Sequence, residues 1–302
     1  MSKSLKFTKT LFKSMIDDFI EDEIMDEKAE KTHTKYKRVI VSFVNSLKNE
    51  EVTKKDIIDC KKMMMEKYSV KTVNNYIIVI NKFIKYVELH ESNEYSKEKA
   101  RNHVSDWTLK IVKEQEKTSV ENVLDPVDFK RMLRMAKRKG QLDTYFIMKI
   151  FAYTGIRIGE LKYFTYENVE KAKEYIKVYN KGKMREVPLR SDLRRELLKY
   201  AKERNIESGT LFPGSKEGKM LTEKTVENRI KKICKECKGI KLEKAHPHAF
   251  RHMFAIQWVK QNGNASLSEL AKIMGHSDVK TTAIYTNTSK KEKKRKVEAI
   301  RY

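Results

Sequence analysis

Three short blocks in the second half of the sequence contain the residue types that phosphate chemistry needs. The first block, residues 152–161, contains Gly155, Arg157 and Glu160. Gly155 permits a tight entry into the next helix, so Arg157 falls in a first turn whose backbone N–H groups already favour an anion. A guanidinium there can grip phosphate oxygens, and Glu160, three residues further on, can support it. The alternative is an ordinary surface arginine near a helix start.

The second block, residues 246–255, contains three histidines and one arginine. His248 and Arg251 are three residues apart, so they share one face of a helix. On that face a guanidinium can hold a phosphodiester while an imidazole moves a proton. The alternatives are a surface histidine cluster and a metal site.

The third block, residues 273–287, contains a possible nucleophile. His276 follows a glycine, and Tyr285 comes nine residues after it. A phenol with a pKa near ~10 is a poor nucleophile unless a base or nearby cations assist it. The arginines and histidines of the three blocks could supply that assistance. The alternative is a packing role, since the chain has 14 tyrosines.

Taken in this order, the three blocks closely resemble the motifs of the tyrosine recombinases, the family of phage integrases and Xer-type recombinases. The matching residues are Thr154-Gly155-Ile156-Arg157-Ile158-Gly159-Glu160-Leu161, then His248, Arg251, His252, Phe254 and Ala255, then Gly275-His276, Thr281-Thr282 and Tyr285. The sequence departs from the family pattern at three positions that carry no catalysis, namely Phe164, Met253 and Asn287.

The resemblance implies that the chain cleaves DNA through a covalent intermediate. Arg157 and Arg251 would clamp the nonbridging oxygens of the scissile phosphate and offset the charge of the transition state. Tyr285 would attack phosphorus and form a 3′-phosphotyrosyl bond. Because the 5′ hydroxyl of a second strand then reverses the step, neither ATP nor a metal ion nor another cofactor is expected.

The resemblance also implies proton-transfer roles. The catalytic lysine of the family lies in a basic hairpin turn between the first two blocks, where this chain has Lys181, with Lys183 as the alternative. Lys181 would protonate the departing 5′ oxygen. His248 would act as general base and orient the phosphate, and His276 would add a hydrogen bond.

The elements that must position these blocks are mainly helices. In residues 1–113 apolar side chains recur at helical spacing, which predicts a small helical bundle. The resemblance makes this part the family's core-binding (SAM-like) DNA-binding domain. Its fourth helix opens with short polar and basic groups that suit phosphate contact, although a capped, solvated helix end is the alternative. These candidate DNA-binding residues are Lys71, Thr72 and Asn75, preceded by Ser69.

The polar, aperiodic residues 114–122 are predicted to be a linker, and residues 123–302 the catalytic domain with a basic tail. Asp125 and Pro126 signal a helix start after the linker. A hairpin is predicted over residues 175–189, where Lys183 and Arg185 are further candidates for DNA contact. Helices are predicted around residues 192–204, 222–238, 248–262 and 266–274. The predicted fold class is therefore mainly α with a small β-hairpin.

Charge supports a polyanionic partner. The 302-residue chain has 66 Lys and Arg against 42 Asp and Glu, a net charge of +24. Residues 1–120 carry 24 basic and 20 acidic side chains, whereas residues 121–302 carry 42 and 22. Such an excess fits nucleic acid or an anionic membrane surface, and a solvated lysine-rich surface is the alternative.

Composition excludes several other classes of protein. No apolar run approaches the ~20 residues of a membrane span, and the N-terminus lacks a secretion signal. Three cysteines cannot build a disulfide framework, so a cytoplasmic protein is expected. Cys234 and Cys237 suggest zinc, but a structural site needs about four ligands, so no metal is predicted.

The sequence thus predicts a site-specific DNA recombinase that acts in integration, excision or dimer resolution. Its expected partners are double-stranded DNA with specific recombination sites and three further copies of the chain, in a tetramer on paired sites. One alternative is a type IB topoisomerase-like enzyme, which shares this chemistry but relaxes DNA without pairing two sites. Another is a non-catalytic DNA-binding protein on the same scaffold.

Overall fold

A computed structural model describes residues 6–113, 123–180, 182–214, 219–276 and 278–286, together with Glu298. The chain divides into two compact units, Met1–Glu116 and Lys117–Tyr302. Three predicted features lie outside the described residues: the linker 114–122, the hairpin lysine Lys181, and nearly all of the basic tail after Thr286.

Within residues 6–113, the first unit contains five helices around one apolar core. They are α1 (Lys9–Met25), α2 (Glu30–Ser46), α3 (Lys54–Lys67), α4 (Val70–Glu91) and α5 (Lys97–Asn102). A capping box opens α3, because the Thr53 N–H donates to Asp56 at 2.8 Å and the Asp56 N–H donates to the Thr53 hydroxyl at 3.3 Å.

One pairing in this unit was not expected from the sequence. The strands β1 (Phe7–Thr8) and β2 (Glu51–Val52) pair antiparallel, so the unit is not purely helical. Two residues are too few to produce an alternating pattern, which is why periodicity could not reveal them.

The second unit surrounds a hairpin with helices. Its described elements in chain order are α6 (Pro126–Arg138), α7 (Leu142–Thr154), a 3₁₀-helix (Ile158–Tyr163), α8 (Tyr166–Lys171), β3 (Tyr175–Asn180), β4 (Lys183–Pro188), α9 (Ser191–Glu203), α10 (Glu223–Lys235), a 3₁₀-helix (Leu242–Lys244), α11 (Pro247–Asn262), a 3₁₀-helix (Asn264–Ser266), α12 (Leu267–Met274), α13 (Lys280–Ala283) and a last 3₁₀-helix (Ile284–Thr286). The strands pair antiparallel with Val178 opposite Arg185. The predicted hairpin and the predicted mainly α fold class are confirmed.

The packing of α7 against α11 positions the chemistry-bearing blocks. Helix α7 is buried on nearly every side, and Phe151 and Phe250 belong to the same core. Burial of one such side chain contributes roughly 1.5–3 kcal/mol, so the two helices hold each other firmly. The ends of these helices therefore present the residues near Gly155 and His248 in fixed places.

A membrane span requires a helix of sufficient length and hydropathy. No helix within the described ranges is both long and apolar enough to span a bilayer.

Candidate active site

Arg157 is positioned by the end of α7 and by a buried carboxylate. Gly155 ends α7 in the left-handed conformation, with φ of +63°, and Arg157 then lies at the N-cap of a 3₁₀-helix rather than within the first turn of the next helix. The tight turn is closed by Glu160, which accepts the Arg157 N–H at 2.7 Å and lies 3.3 Å from its guanidinium. The guanidinium also donates to the Gly275 carbonyl at 2.7 Å. The expected support from Glu160 is confirmed.

Arg251 ties together three parts of the chain from helix α11. It is 3% exposed, and its guanidinium donates to the carbonyls of Gly155 and Met274, the latter at 2.6 Å. The same guanidinium lies 2.9 Å from Nε2 of His276. Arg251 thus joins the end of α7, which carries Arg157, to the end of α12.

The contacts of His276 define its protonation. Arginine only donates, so Nε2 of His276 accepts from Arg251 and the ring proton resides on Nδ1. That proton is donated to the Thr282 hydroxyl at 2.8 Å. Burial, aided by the nearby positive charges of Arg251 and Arg157, lowers the pKa of His276 to about 4. The imidazole is therefore neutral at physiological pH.

Tyr285 lies in a small apolar cluster beside these cations. The side chain is 5% exposed and packs with Leu270 and Met274. Its hydroxyl lies 2.8 Å from Nδ1 of His252, which comes from α11 one residue after Arg251. Burial raises the pKa of the Tyr285 phenol, although the charges of Arg251 and Arg157 oppose that rise.

His248 occupies a different position from His252. It is exposed in the first turn of α11 and forms no hydrogen bond with any residue that the structure describes. Partial burial of the ring, followed by the charge of Arg251, lowers its pKa. An exposed imidazole beside buried arginines is suited to contact a bound phosphate, but Tyr285 is held by His252.

Arg185 is the one predicted DNA-contacting residue that the structure places elsewhere. Its side chain is only 12% exposed, and it pairs with Glu160 at 2.5 Å and donates to the Ile273 carbonyl. Strand alternation explains this position, because Arg185 shares the inward face of β4 with the buried Val187. Arg185 therefore lies beneath the site and supports Glu160 and Arg157, rather than forming an exposed phosphate contact.

The other predicted DNA-contacting residues lie on surfaces. Lys71, Asn75 and Lys183 are exposed, and the Thr72 hydroxyl lies 3.1 Å from that of Ser69, which caps α4. Their assignment to DNA stays a prediction.

Gly275 makes the close approach of two arginines possible. Its φ is +65°, and a Cβ there would lie 2.6 Å from Nε of Arg185 and 3.3 Å from Arg157. Gly140 has the same φ of +65° but open space around the Cβ position. An alanine at either position would suffer the same backbone strain, but only an alanine at position 275 would also clash with neighbouring side chains.

We expect Gly275→Ala to destabilise the protein more than Gly140→Ala does. Both substitutions place an alanine in the left-handed region, at about 1–2 kcal/mol. Gly275→Ala must in addition displace Arg185, which overpacking data put at about 1–3 kcal/mol. Urea unfolding of the two variants measures the difference. Equal losses of stability would contradict the tight contact.

The site combines, in the described part of the chain, three buried or half-buried arginines with one buried carboxylate and one buried tyrosine. A sequence model of the phage integrase family matches residues 122–292, which is more than half of the chain. The chain belongs to the phage integrase family. This is the family of tyrosine recombinases, enzymes that cleave and rejoin DNA through a tyrosine, so the resemblance found in the motifs is confirmed.

Individual members of the phage integrase family show how far the similarity extends. The chain is 33% identical to the tyrosine recombinase XerD of Haemophilus ducreyi over 151 residues, 48% of this chain and 50% of the relative. This match spans only about half the length of the relative. The chain is also 25% identical to the tyrosine recombinase XerA of Pyrococcus furiosus over 295 residues, 96% of this chain and 95% of that protein.

A solved structure shows the same fold in another phage integrase family protein. The XerH site-specific recombinase bound to a palindromic difH substrate, in a post-cleavage complex, superimposes with a TM-score of 0.72 at 18% identity. The match covers 95% of this chain and 84% of that one.

Proposed function

We propose that this chain is a site-specific recombinase that cleaves and rejoins DNA strands through Tyr285. The observation that carries this proposal is the hydrogen-bonded network joining Arg157, Arg251 and His276, beside the buried Tyr285, whose hydroxyl contacts His252 on the helix that carries Arg251. Three distant segments of the sequence meet there. Such a group fits attack on a phosphodiester better than it fits a structural ion pair.

The charges of the site support an anionic substrate. Glu160 is the carboxylate that pairs with Arg157 and Arg185, and Arg251 adds a third cation. Burial, followed by the positive charges of Arg157 and Arg185, lowers the pKa of Arg251 to about 10, which leaves it protonated at neutral pH. A phosphodiester between Arg157 and Arg251 would relieve the repulsion between the arginines. The two guanidinium groups would hold it more tightly in the transition state, where negative charge builds up on its nonbridging oxygens.

Two of the remaining roles follow the sequence prediction: Lys181 donates the proton to the leaving 5′ oxygen, and His276 adds a hydrogen bond, here with Arg251. His248 orients the phosphate, but its predicted role as general base lacks support from a contact with Tyr285, whose hydroxyl lies beside His252. The phosphotyrosyl bond conserves the energy of the broken phosphodiester, so the step requires neither ATP nor a metal ion.

The proposed partners are double-stranded DNA with specific sites and further copies of this chain. Related proteins support the first of these, since one solved relative is XerH bound to difH substrate. We propose that residues 1–113 bind DNA as a core-binding domain, that 114–122 link it to the catalytic domain, and that four protomers assemble on two sites. The net charge of +24 fits this assignment. We propose a cytoplasmic location as part of it.

The experiment that tests the function uses plasmids with one or two copies of the inverted repeat nearest to the gene. A recombinase converts the plasmid with two direct copies into two smaller circles. A type IB topoisomerase-like enzyme instead relaxes both plasmids without new circles, and a non-catalytic DNA-binding protein shifts both in a gel but alters neither. Either of the last two outcomes would reject the proposal.

A further inference from the structure

The contact between His252 and Tyr285 gives the nucleophile its own hydrogen-bond partner. Nδ1 of His252 lies 2.8 Å from the Tyr285 hydroxyl, and the two rings are 5.5 Å apart between centroids. Within the described ranges His252 is the only hydrogen-bond partner of this hydroxyl. His248, one helical turn earlier, has its ring 6.4 Å from that of His252 and is exposed to solvent.

We infer that His252, rather than His248, accepts the phenolic proton of Tyr285 when the phosphotyrosyl bond forms. This inference rests on the proposed function and assigns its general base. The geometry is that required of a base, which must lie within about 2.6–3.2 Å of the proton's heavy atom.

The direction of the hydrogen bond follows from the chemistry of the two groups. A phenol is a stronger acid than a neutral imidazole N–H, so the better bond has the Tyr285 hydroxyl donating to an unprotonated Nδ1. Burial, followed by the charges of His248, His246 and Arg251, lowers the pKa of His252 to about 4. The ring is therefore neutral and able to accept at physiological pH.

Substrate binding would strengthen this base. The groups that face His252 are His246, His248 and Arg251 on its own helix and Tyr285 on the last 3₁₀-helix. A phosphodiester anion held by Arg251 places negative charge beside the ring, which favours the imidazolium form. His252 becomes more basic when the phosphate to be attacked is in place.

The step balances as follows. The bond from the Tyr285 oxygen to phosphorus forms as the bond from phosphorus to the 5′ oxygen breaks. The phenolic proton moves to Nδ1 of His252, and the 5′ oxygen takes a proton from the general acid, proposed as Lys181. In the rejoining step the imidazolium returns its proton to the departing phenolate.

The test measures single-turnover cleavage between pH 6 and pH 9, on a nicked duplex of the inverted repeat nearest to the gene. We compare wild type with His252→Phe, which removes the bond, and with His252→Asn, whose amide occupies the Nδ1 position but cannot take a proton. His246→Asn is the matched control from the same block. Wild type and the control should show a flat profile.

Both His252 variants should cleave about 10²–10⁴-fold more slowly at neutral pH, as for loss of a general base. Their rates should rise about tenfold per pH unit, because without the base only Tyr285 that has already lost its proton to solvent can attack, and that fraction grows tenfold per pH unit below the pKa of the phenol. A His252→Asn enzyme with a flat profile and a near-wild-type rate would overturn the inference, because a hydrogen bond alone would then suffice.

A second measurement does not depend on the variants being active. In wild-type protein without DNA, the ¹⁵N resonance of His252, assigned by its absence from His252→Asn, should report an unprotonated Nδ1. A protonated Nδ1 would overturn the inference. If the wild-type enzyme forms no covalent complex, the proposed function itself is rejected. If the wild-type enzyme cleaves and the His252 variants cleave at the same rate, only the assignment of His252 as the base is rejected.

Discussion

Tyr285→Phe is expected to abolish the covalent protein–DNA complex while the protein stays folded and still binds DNA. The substitution removes only the hydroxyl, and the phenyl ring keeps its packing against Leu270 and Met274. The lost hydrogen bond to His252 should lower the free energy of unfolding by about 0.5–1.5 kcal/mol. Denaturing gels measure the covalent complex, and a gel shift measures binding.

Tyr200→Phe is the matched control for this substitution. Tyr200 is 2% exposed and donates its hydroxyl to the Asp143 carboxylate at 3.0 Å, so Tyr200→Phe also loses a tyrosine hydrogen bond, away from the cluster of catalytic candidates. It should lose at least as much stability, since a hydrogen bond to a charged group is worth about 1.5–3 kcal/mol, and keep full cleavage. A covalent complex that persists in Tyr285→Phe would place the nucleophile on another residue.

A substrate with sulfur at the leaving position distinguishes a variant that lacks the nucleophile from one that lacks the general acid. A 5′-bridging phosphorothiolate leaves without needing a proton, so it should restore cleavage to Lys181→Ala but never to Tyr285→Phe. Rescue of Lys183→Ala, with Lys181→Ala behaving as wild type, would move the acid by two positions in the turn.

The motifs predicted which residues meet, but not how they are held. Spacing could place Arg157 and Arg251 in helical segments, because apolar periodicity and glycine positions are local signals. The network of carbonyl acceptors around Arg251 joins positions up to 96 residues apart in sequence, and no local pattern encodes it.

Two assignments depended on information that the motifs did not carry. Nothing in its spacing distinguishes His252 from the other histidines of its block, because its partner Tyr285 is 33 residues further on. Arg185 was assigned to DNA because it is basic and lies in a hairpin. The two-residue alternation with Val187 already indicated an inward side chain, and weighing it would have placed Arg185 beneath the site.

Arg251→Lys is expected to lower the cleavage rate by about 10²–10³-fold, as for the loss of a preorganised donor to a developing oxyanion. Lysine keeps the charge, but its single ammonium group cannot replace a planar fork that reaches Gly155, Met274 and His276 together. The released Nε2 of His276 also loses the donor that sets its tautomer.

The free energy of unfolding distinguishes the loss of the Arg251 hydrogen bonds from the loss of its charge. Arg251→Ala leaves buried carbonyls without a donor, at about 1–3 kcal/mol for each one, so it should destabilise the protein more than Arg251→Lys does. Arg190→Lys is the control, because Arg190 is 58% exposed and its pairing with Asp192 lies on the surface. It should change stability by less than about 1 kcal/mol and leave cleavage unchanged. Wild-type cleavage by Arg251→Lys would show that charge, and not the geometry of the guanidinium, is what the phosphate requires.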